Sequence, residues 1–414
     1  MELLQHTDIM VVGGGAAGVA AAVAASGKGL KVTLLERCSF LGGKATAAEV
    51  GTICGLYAYN TDGNSTYLSK GFARDFAERL RKRSGTVPLN NSEGLHYLPY
   101  EINDFKTCCL EVLRENNVEV LLDTVLDNVS IISKKLGSVT YHTAGNHFTR
   151  PVVALVDCTG DAVISRLSGT EIIKSDQYQA AAQVFTLENI TEENESRLGL
   201  ILMKALRVAI DEKKLPDYYD RVYIVQGSLK HNSVSLKLGI PVSVNYEAGN
   251  LEKIQESAIE FVQQLSGFII KNIPAFREAV IKSIAPEVGI RVGTRTLGEY
   301  ILTEQDVLNC RKFDDAVAYG SWPIEEWEQH KRVKMKYFKP GDHYHVPSGC
   351  LVSKHISNLF MGGRNISASE LAIASARVIG TCLQTGFAAG YLAAGYAMGM
   401  DQQAVIANIQ KLQL

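Results

Sequence analysis

The sequence predicts an α/β protein: a Rossmann-like domain assembled from both ends of the chain, with a second, mixed α/β domain between them. Three observations carry this. The N-terminus reads as apolar strand, glycine-rich turn, alanine-rich helix and second apolar strand. Beyond about residue 170 the pattern changes to long amphipathic helices and alternating strands, and near Val346 it returns to short buried strands, glycines and a small-residue helix. Length agrees, since 414 residues make two or three domains at about 150 residues each.

Taken in order, residues 8–12 form a short apolar strand, Gly13-Gly14-Gly15-Ala16-Ala17-Gly18 the turn, and 19–26 a helix that Gly27 and Gly29 suit as an end. Residues 32–35 are a second buried strand closed by Glu36, which completes a βαβ opening. From 52 to 93 polar turns surround a helix at 67–82, and 56–94 reads as an excursion from the first domain. A helix at 101–116, a strand at 119–125, hairpins over 129–149 with turns at 135–137 and 144–146, and a buried strand at 152–156 follow. The first domain is thus expected over 1–55, 95–170 and 345–414. The second, 171–344, carries helices at 195–213 and 251–272 and strands at 222–225, 233–238 and 241–245. A last strand at 359–361 leads into the small-residue helix.

Composition narrows the function. Apolar residues make up 46% and charged residues 21%, ordinary values for a globular protein. Lys and Arg total 42 against 44 Asp and Glu, so there is no cationic excess of the kind that nucleic-acid or membrane-surface binding needs. The eight cysteines, at 38, 54, 108, 109, 158, 310, 350 and 382, form no CxxC and no zinc or disulfide spacing. Reduced thiols, and no basic stretch ahead of the first apolar run, suggest a cytoplasmic location. Residues 376–400 are poor in charge, with Gly386 and Gly390 in a GxxxG pair, but Arg377, Thr381, Gln384 and Thr385 interrupt them. A membrane helix needs about 20 apolar residues, so a buried helix is expected rather than a span.

The sharpest motif is GxGxxG at Gly13, Gly15 and Gly18. The first glycine permits the tight turn, the second lets backbone approach a pyrophosphate, and the third lets helix pack on strand. The helix N-terminus then offers amides and a positive dipole end to phosphate. Glu36 stands where an acidic residue meets a ribose hydroxyl, and its charge disfavours a 2′-phosphate. NADP is therefore set aside, and NAD or FAD remain. Leu41-Gly42-Gly43-Lys44-Ala45-Thr46 adds a second glycine pair, suited to backbone lying against a large flat ligand, which favours FAD.

With Asp157-Cys158-Thr159-Gly160-Asp161 and Asn358-Leu359-Phe360-Met361-Gly362-Gly363-Arg364 added, the chain resembles the FAD-dependent oxidoreductases related to the fumarate reductase and succinate dehydrogenase flavoproteins. Within that group it is most similar to a bacterial family marked by Gly289-Ile290-Arg291-Val292-Gly293-Thr294-Arg295 and by Arg377-Val378-Ile379-Gly380-Thr381-Cys382. The likeness covers 5–50, 100–165 and 285–395, and 170–280 carry none of its motifs. It implies a glutathione-reductase-type FAD-binding domain. Gly13, Gly15 and Gly18, with Ala16 and Ala17, would hold the pyrophosphate, Glu36 the ribose, and Arg37 would lie at the adenine end. Gly42, Gly43, Lys44 and Thr46 would line the flavin and its diphosphate, and Val125 would offer backbone to adenine. Thr159, Gly160 and Asp161 would close over the dinucleotide, and Gly363 and Arg364 would follow the ribityl chain. Arg377, Gly380, Thr381 and Cys382 would sit at the pyrimidine edge, where positive charge favours the reduced ring.

Candidates for catalysis are fewer. Arg291 and Arg295, four apart, share a face in a strand or a helix, and two guanidiniums would suit a carboxylate. Salt bridges to Glu287 or Glu299 are the alternative. His343, Tyr344 and His345 precede the return to the FAD domain and offer general acid or base groups. His-x-His has no third ligand at a supporting spacing, so no metal is expected. Lys44, facing the flavin, would stabilise negative charge. A second GxGxxG is missing, so electrons would pass to or from oxygen, a quinone, a visiting NAD(P)H or a protein. The more elaborate Gly/Ser-rich segment and the active-site His and Arg motifs of fumarate reductases do not align, which argues against fumarate as substrate. The expected function is hydride transfer between a small organic substrate, carboxylate-bearing where the arginines face it, and flavin N5, with oxidation as the first choice. A C=C reductase of fumarate-reductase type, a plain NAD-dependent dehydrogenase and an FAD-carrying non-redox binding protein are the alternatives, and homo-oligomerisation stays open.

Overall fold

The computed structural model describes residues 7–175, 178–247, 249–328 and 333–414. Its central strand, Thr7–Val12, lies between two parallel neighbours, Val32–Leu35 and Asn146–Asp157. Glu119–Leu121 pairs parallel with the outer side of Val32–Leu35, and Leu359–Met361 with the end of Asn146–Asp157. Strands covered on both faces need apolar residues throughout, and Ile9, Met10, Val11, Leu34 and Leu155 are indeed wholly buried. Asn146–Asp157 pairs antiparallel along its first half with Lys135–Thr143, which pairs in turn with Thr124–Ile132. The result is a seven-stranded mixed sheet, the α/β architecture that the sequence predicts. The expected strand at 152–156 is the second half of this one long strand. Ser133-Lys134 and Ala144-Gly145, all at positive φ, make the two hairpin turns, the first just ahead of the expected 135–137.

The helix Ala16–Ser26 packs against Ile379–Ala397 through small residues. A Cβ on Gly386 would lie 2.1 Å from the Ala17 carbonyl oxygen, and one on Gly390 2.0 Å from that of Ala21, so the GxxxG pair serves close packing of two helices. The single small-residue helix expected after Arg364 to the C-terminus is instead three, Glu370–Ala376, Ile379–Ala397 and Gln402–Gln413, the first two bent by 97° with Arg377 and Val378 at the corner. Among the described residues no single helix is long and apolar enough to cross a membrane.

The middle of the chain forms a second, four-stranded antiparallel sheet in the order Val222–Ile224, Ser233–Gly239, Ala182–Glu188, Val280–Ile284. Alternation puts Ile224, Leu236, Leu238, Phe185 and Leu187 on one face, in the same core as Leu198, Leu202, Ile254 and Val262 of the helices Glu195–Asp211 and Asn250–Asn272. Register puts Tyr223, Lys237 and Val184 side by side on the other face, with Arg221 against Gly239. That polar face is what positions the site below. No strand forms over 241–245, where Asn250 bonds the Asn245 N–H and the Ser243 carbonyl instead. The helix expected at 67–82 runs Phe72–Ser84.

Candidate active site

The turn after the first strand is shaped as a cradle. Gly13 has φ +98°, and a Cβ there would lie 2.6 Å from the Cys158 carbonyl oxygen, while one on Gly18 would lie 1.8 Å from that of Gly13. Gly15 caps the helix Ala16–Ser26 without a side-chain hydrogen bond, and its first turn holds no acid. The amides there are thus offered to an anion. Gly42 donates its N–H to Gly14 at 2.9 Å, and Gly43, at φ +53°, backs onto Gly15, whose Cα a Cβ would approach to 2.9 Å. Side chains at these positions would collide with the neighbouring backbone and open the turn. Buried Glu36 accepts the Gly14 N–H at 2.6 Å and the Cys38 N–H at 2.9 Å, which pins its carboxylate at the end of the second strand. Thr124 bonds the Glu36 carbonyl at 2.9 Å, so Val125 stands beside it.

The far wall comes from the other motifs. Asp157 Oδ1 accepts the Thr159 N–H and hydroxyl at 2.9 and 2.7 Å, and Gly160 turns at φ +80°. Asp161 pairs with Arg364 at 3.2 Å and accepts the Tyr246 hydroxyl at 2.6 Å. Burial pulls the Arg364 guanidinium down, but Asp161 more than offsets it and holds it above its usual range. Gly363, at φ +73°, lies against Ala17 and Cys382. The helix Ile379–Ala397 opens at Val378 with no side-chain cap, and Gly380 packs on Gly55. The buried Thr381 hydroxyl finds no hydrogen-bond partner among the described residues. An uncapped helix end beside an orphaned hydroxyl suits the polar edge of a flavin. Burial pushes the Cys382 thiol up to about 12, so it stays protonated and unreactive. Thr46 turns inward and bonds the Leu41 carbonyl at 2.7 Å.

Lys44 and Arg37 converge on Glu287, at 2.6 and 2.7 Å, and Lys44 also bonds the Val288 carbonyl at 2.9 Å. Burial draws the Lys44 ammonium below its usual range while Glu287 pulls the other way. Arg364 bonds the Ile290 carbonyl. The stretch 287–290 is therefore a strut: the cradle grips it along its length, and it delivers Arg291 to the polar face of the second sheet.

There Arg291 bonds the Ala180 carbonyl and lies 4.1 Å from the Trp327 ring centroid, with Lys237 Nζ at 5.0 Å from the same ring. Arg377 pairs with Glu325 at 3.4 Å, and the indole N–H groups of Trp322 and Trp327 donate to Glu325 at 2.8 and 3.2 Å. Burial, reinforced by Arg377, lowers Arg291 to about 9, and burial with Arg291 lowers Lys237 to about 8. Burial would raise Glu325, but Arg377 and the Trp322 indole outweigh it and hold the carboxyl below its usual range. Yet Lys237, Arg291, Glu325 and Arg377 all keep partial exposure, so they line a recess that solvent reaches. Lys237, Glu325 and Trp327 escape sequence reasoning because nothing local marks them; register and folding alone bring them to Arg291.

The other candidates lie elsewhere. Arg295 is wholly buried and bonds the Ala368 and Gly293 carbonyls and Ser175, so it shares no partner with Arg291; neither arginine pairs with Glu287 or Glu299. Tyr344 is buried, its hydroxyl on Ser375 at 2.7 Å. His343 and His345 point to the opposite side of their strand, 4.7 and 4.8 Å from the Tyr319 ring. Burial lowers His343 to about 4 and His345 below its usual value, so both are neutral near pH 7. Asp127, His142 and His147 gather on the outer hairpins, with both carboxylate oxygens taken by ring nitrogens at 2.7 and 3.0 Å.

Comparison with solved structures finds the same fold in OxyS anhydrotetracycline hydroxylase from Streptomyces rimosus, at 10% identity over 98% of this chain and 65% of that one, with a TM-score of 0.53. BexE, studied for oxidation during BE-7585A biosynthesis, matches at 12% identity with the same coverages and a TM-score of 0.53. A geranylgeranyl bacteriochlorophyll reductase-like protein from Thermoplasma acidophilum matches at 12% identity over 98% of this chain and 83% of that one, with a TM-score of 0.49. The chain thus spans just under two thirds of the length of the first two, and at such identities the likeness concerns fold alone. No curated protein matches the sequence. The family model described as FAD dependent oxidoreductase matches residues 8–413, nearly the whole of the chain: the protein belongs to the FAD-dependent oxidoreductase family, and FAD is its cofactor.

Proposed function

We propose that the enzyme oxidises a small, carboxylate-bearing organic substrate by hydride transfer to its flavin. One observation carries this: the strut 287–290, gripped by Lys44, Arg37 and Arg364, ends in Arg291 within a solvent-reached recess. On this reading residues 1–55, 95–170 and 345–414 hold the cofactor and 171–344 supply the substrate side. Bound FAD supplies a two-electron acceptor at N5. The amides of the glycine turn bind its pyrophosphate, Glu36 its ribose, and Arg377 with the start of Ile379–Ala397 sets positive potential at the ring's polar edge. Arg291, flattened on Trp327, takes a substrate carboxylate through charge-assisted hydrogen bonds. Glu325 stays ionised and orients Arg377. Lys237, lowered to about 8, can exchange a proton at Nζ near neutral pH, which suits a general base. Reduction of a C=C bond conjugated to a carboxylate, which the resemblance to fumarate reductases implies, is the second reading, since the Lys237 ammonium could supply the proton.

The test is the visible spectrum. The purified protein should be yellow, release FAD on acid precipitation, and bleach when mixed anaerobically with hydroxy or amino acids but not with their neutral amides. Arg291→Met should raise KM for the acid at least tenfold, the loss of one charge-assisted hydrogen bond. A colourless protein that takes up no FAD, or bleaching by the amides alone, overturns the proposal.

A further inference from the structure

The recess holds more positive charge than one carboxylate can satisfy. Among the described residues Lys237, Arg291 and Arg377 draw on one carboxylate, Glu325, which already serves Arg377 and two indoles, while the charge of Arg221 bears on Arg291. Arg221 is the decisive residue. It is 3% exposed, yet none of its three guanidinium nitrogens has a hydrogen-bond partner among the described residues. Asp217 attracts it through space without forming an ion pair, and burial lowers its guanidinium, as its own charge lowers that of Arg291. Arg377 Nε is orphaned too. A buried guanidinium with no partner destabilises the fold, so one whose charge also bears on Arg291 calls for an anionic occupant. Its placement follows from the sheet: Arg221 packs on Gly239, two residues along the strand from Lys237, on the same face. Lys237 and Arg291 then share the Trp327 ring.

We infer that this recess binds a small organic anion carrying at least two carboxylates, with Arg291 and Arg377 receiving one end and Arg221 with Lys237 the other. This rests on the substrate reading above and sharpens it, because a monocarboxylate would leave Arg221 unsatisfied.

Two features make it testable without turnover. The chain has only two tryptophans, and both bond Glu325, so intrinsic fluorescence reports this recess. The FAD-loaded protein is titrated at constant ionic strength with propionate, succinate, citrate and pyrophosphate, by calorimetry and by fluorescence. Succinate and citrate should bind saturably, at least tenfold tighter than propionate, and shift the tryptophan emission. Arg221→Met should cost about tenfold in succinate affinity, the worth of a charge-assisted hydrogen bond, leave propionate unchanged, and raise the Tm of the ligand-free protein. Arg221→Lys should recover part of the lost affinity. Equal affinity for propionate and succinate, tighter binding of pyrophosphate than of citrate, or an Arg221→Met protein that binds like the parent would each overturn the inference. The two proposals fail separately: flavin bleached by a monocarboxylic acid with no preference for dianions sinks only this one, whereas tight succinate binding with no acid able to bleach the flavin sinks only the redox reading.

Discussion

The surroundings of Lys237 and Arg291 carry a prediction in pH. Burial, then Arg291, lowers the Lys237 ammonium to about 8, while Glu325 pulls the other way. A base lowered in this way is charged below that value and neutral above it, so the recess loses one positive charge as pH climbs from 7 to 9. The other groups facing it hold their state longer: Glu325 is kept ionised, and the Cys54 thiol is pushed up to about 12 and stays neutral, while Arg291, at about 9, begins to follow only at the top of the range. Succinate affinity measured by calorimetry should fall about tenfold across that interval, the worth of one charged hydrogen bond, and Lys237→Met should flatten most of the profile. A flat profile in the parent would remove Lys237 from the site. Arg291 stood out in the sequence through its spacing from Arg295, and Arg377 through the motif it opens. Arg221, Lys237 and Glu325 did not, since a single charge in an alternating strand usually faces solvent.

At the level of elements, the seam between Ala16–Ser26 and Ile379–Ala397 decides how tightly the two chain ends close around the cradle. The first helix is nearly all small residues and the second is rich in them, and Gly386 and Gly390 admit the backbone carbonyls of Ala17 and Ala21. Gly390→Ala should therefore overpack the seam by about 1–3 kcal/mol, read as a lower denaturation midpoint of the FAD-loaded protein. An unchanged midpoint would mean that the helices are farther apart than the structure has them. The small-residue run was legible as a buried helix. Its break at Arg377-Val378 was not, because neither Pro nor Gly marks it; the corner follows from packing of Val378 and Thr381 on Gly55. Likewise the first hairpin turn fell on Ser133-Lys134, ahead of the glycine that had pointed to it.

For the whole molecule, the segments proposed to hold the cofactor lie far apart in sequence: the glycine turn, residues 42–46, the 159–161 turn and 363–382. A ligand bound only by the folded state stabilises it by mass action, about 2.7 kcal/mol when present at 100 times its Kd. Removing FAD should lower Tm, and adding it back should restore the original value in a concentration-dependent way; a Tm indifferent to FAD would contradict the cradle. What the sequence by itself determined is the nucleotide fold, since strand, glycine turn, helix and Glu36 are read within 30 consecutive residues and each is set by local backbone geometry. What only tertiary structure decided is the cluster proposed as the substrate side. Arg221, Lys237, Arg291, Glu325 and Arg377 come from separate strands and turns, and sheet register and the strut on Glu287, not any spacing along the chain, put their charges in one recess. Charges of that kind act through space, and distance in space is the quantity a linear sequence does not record.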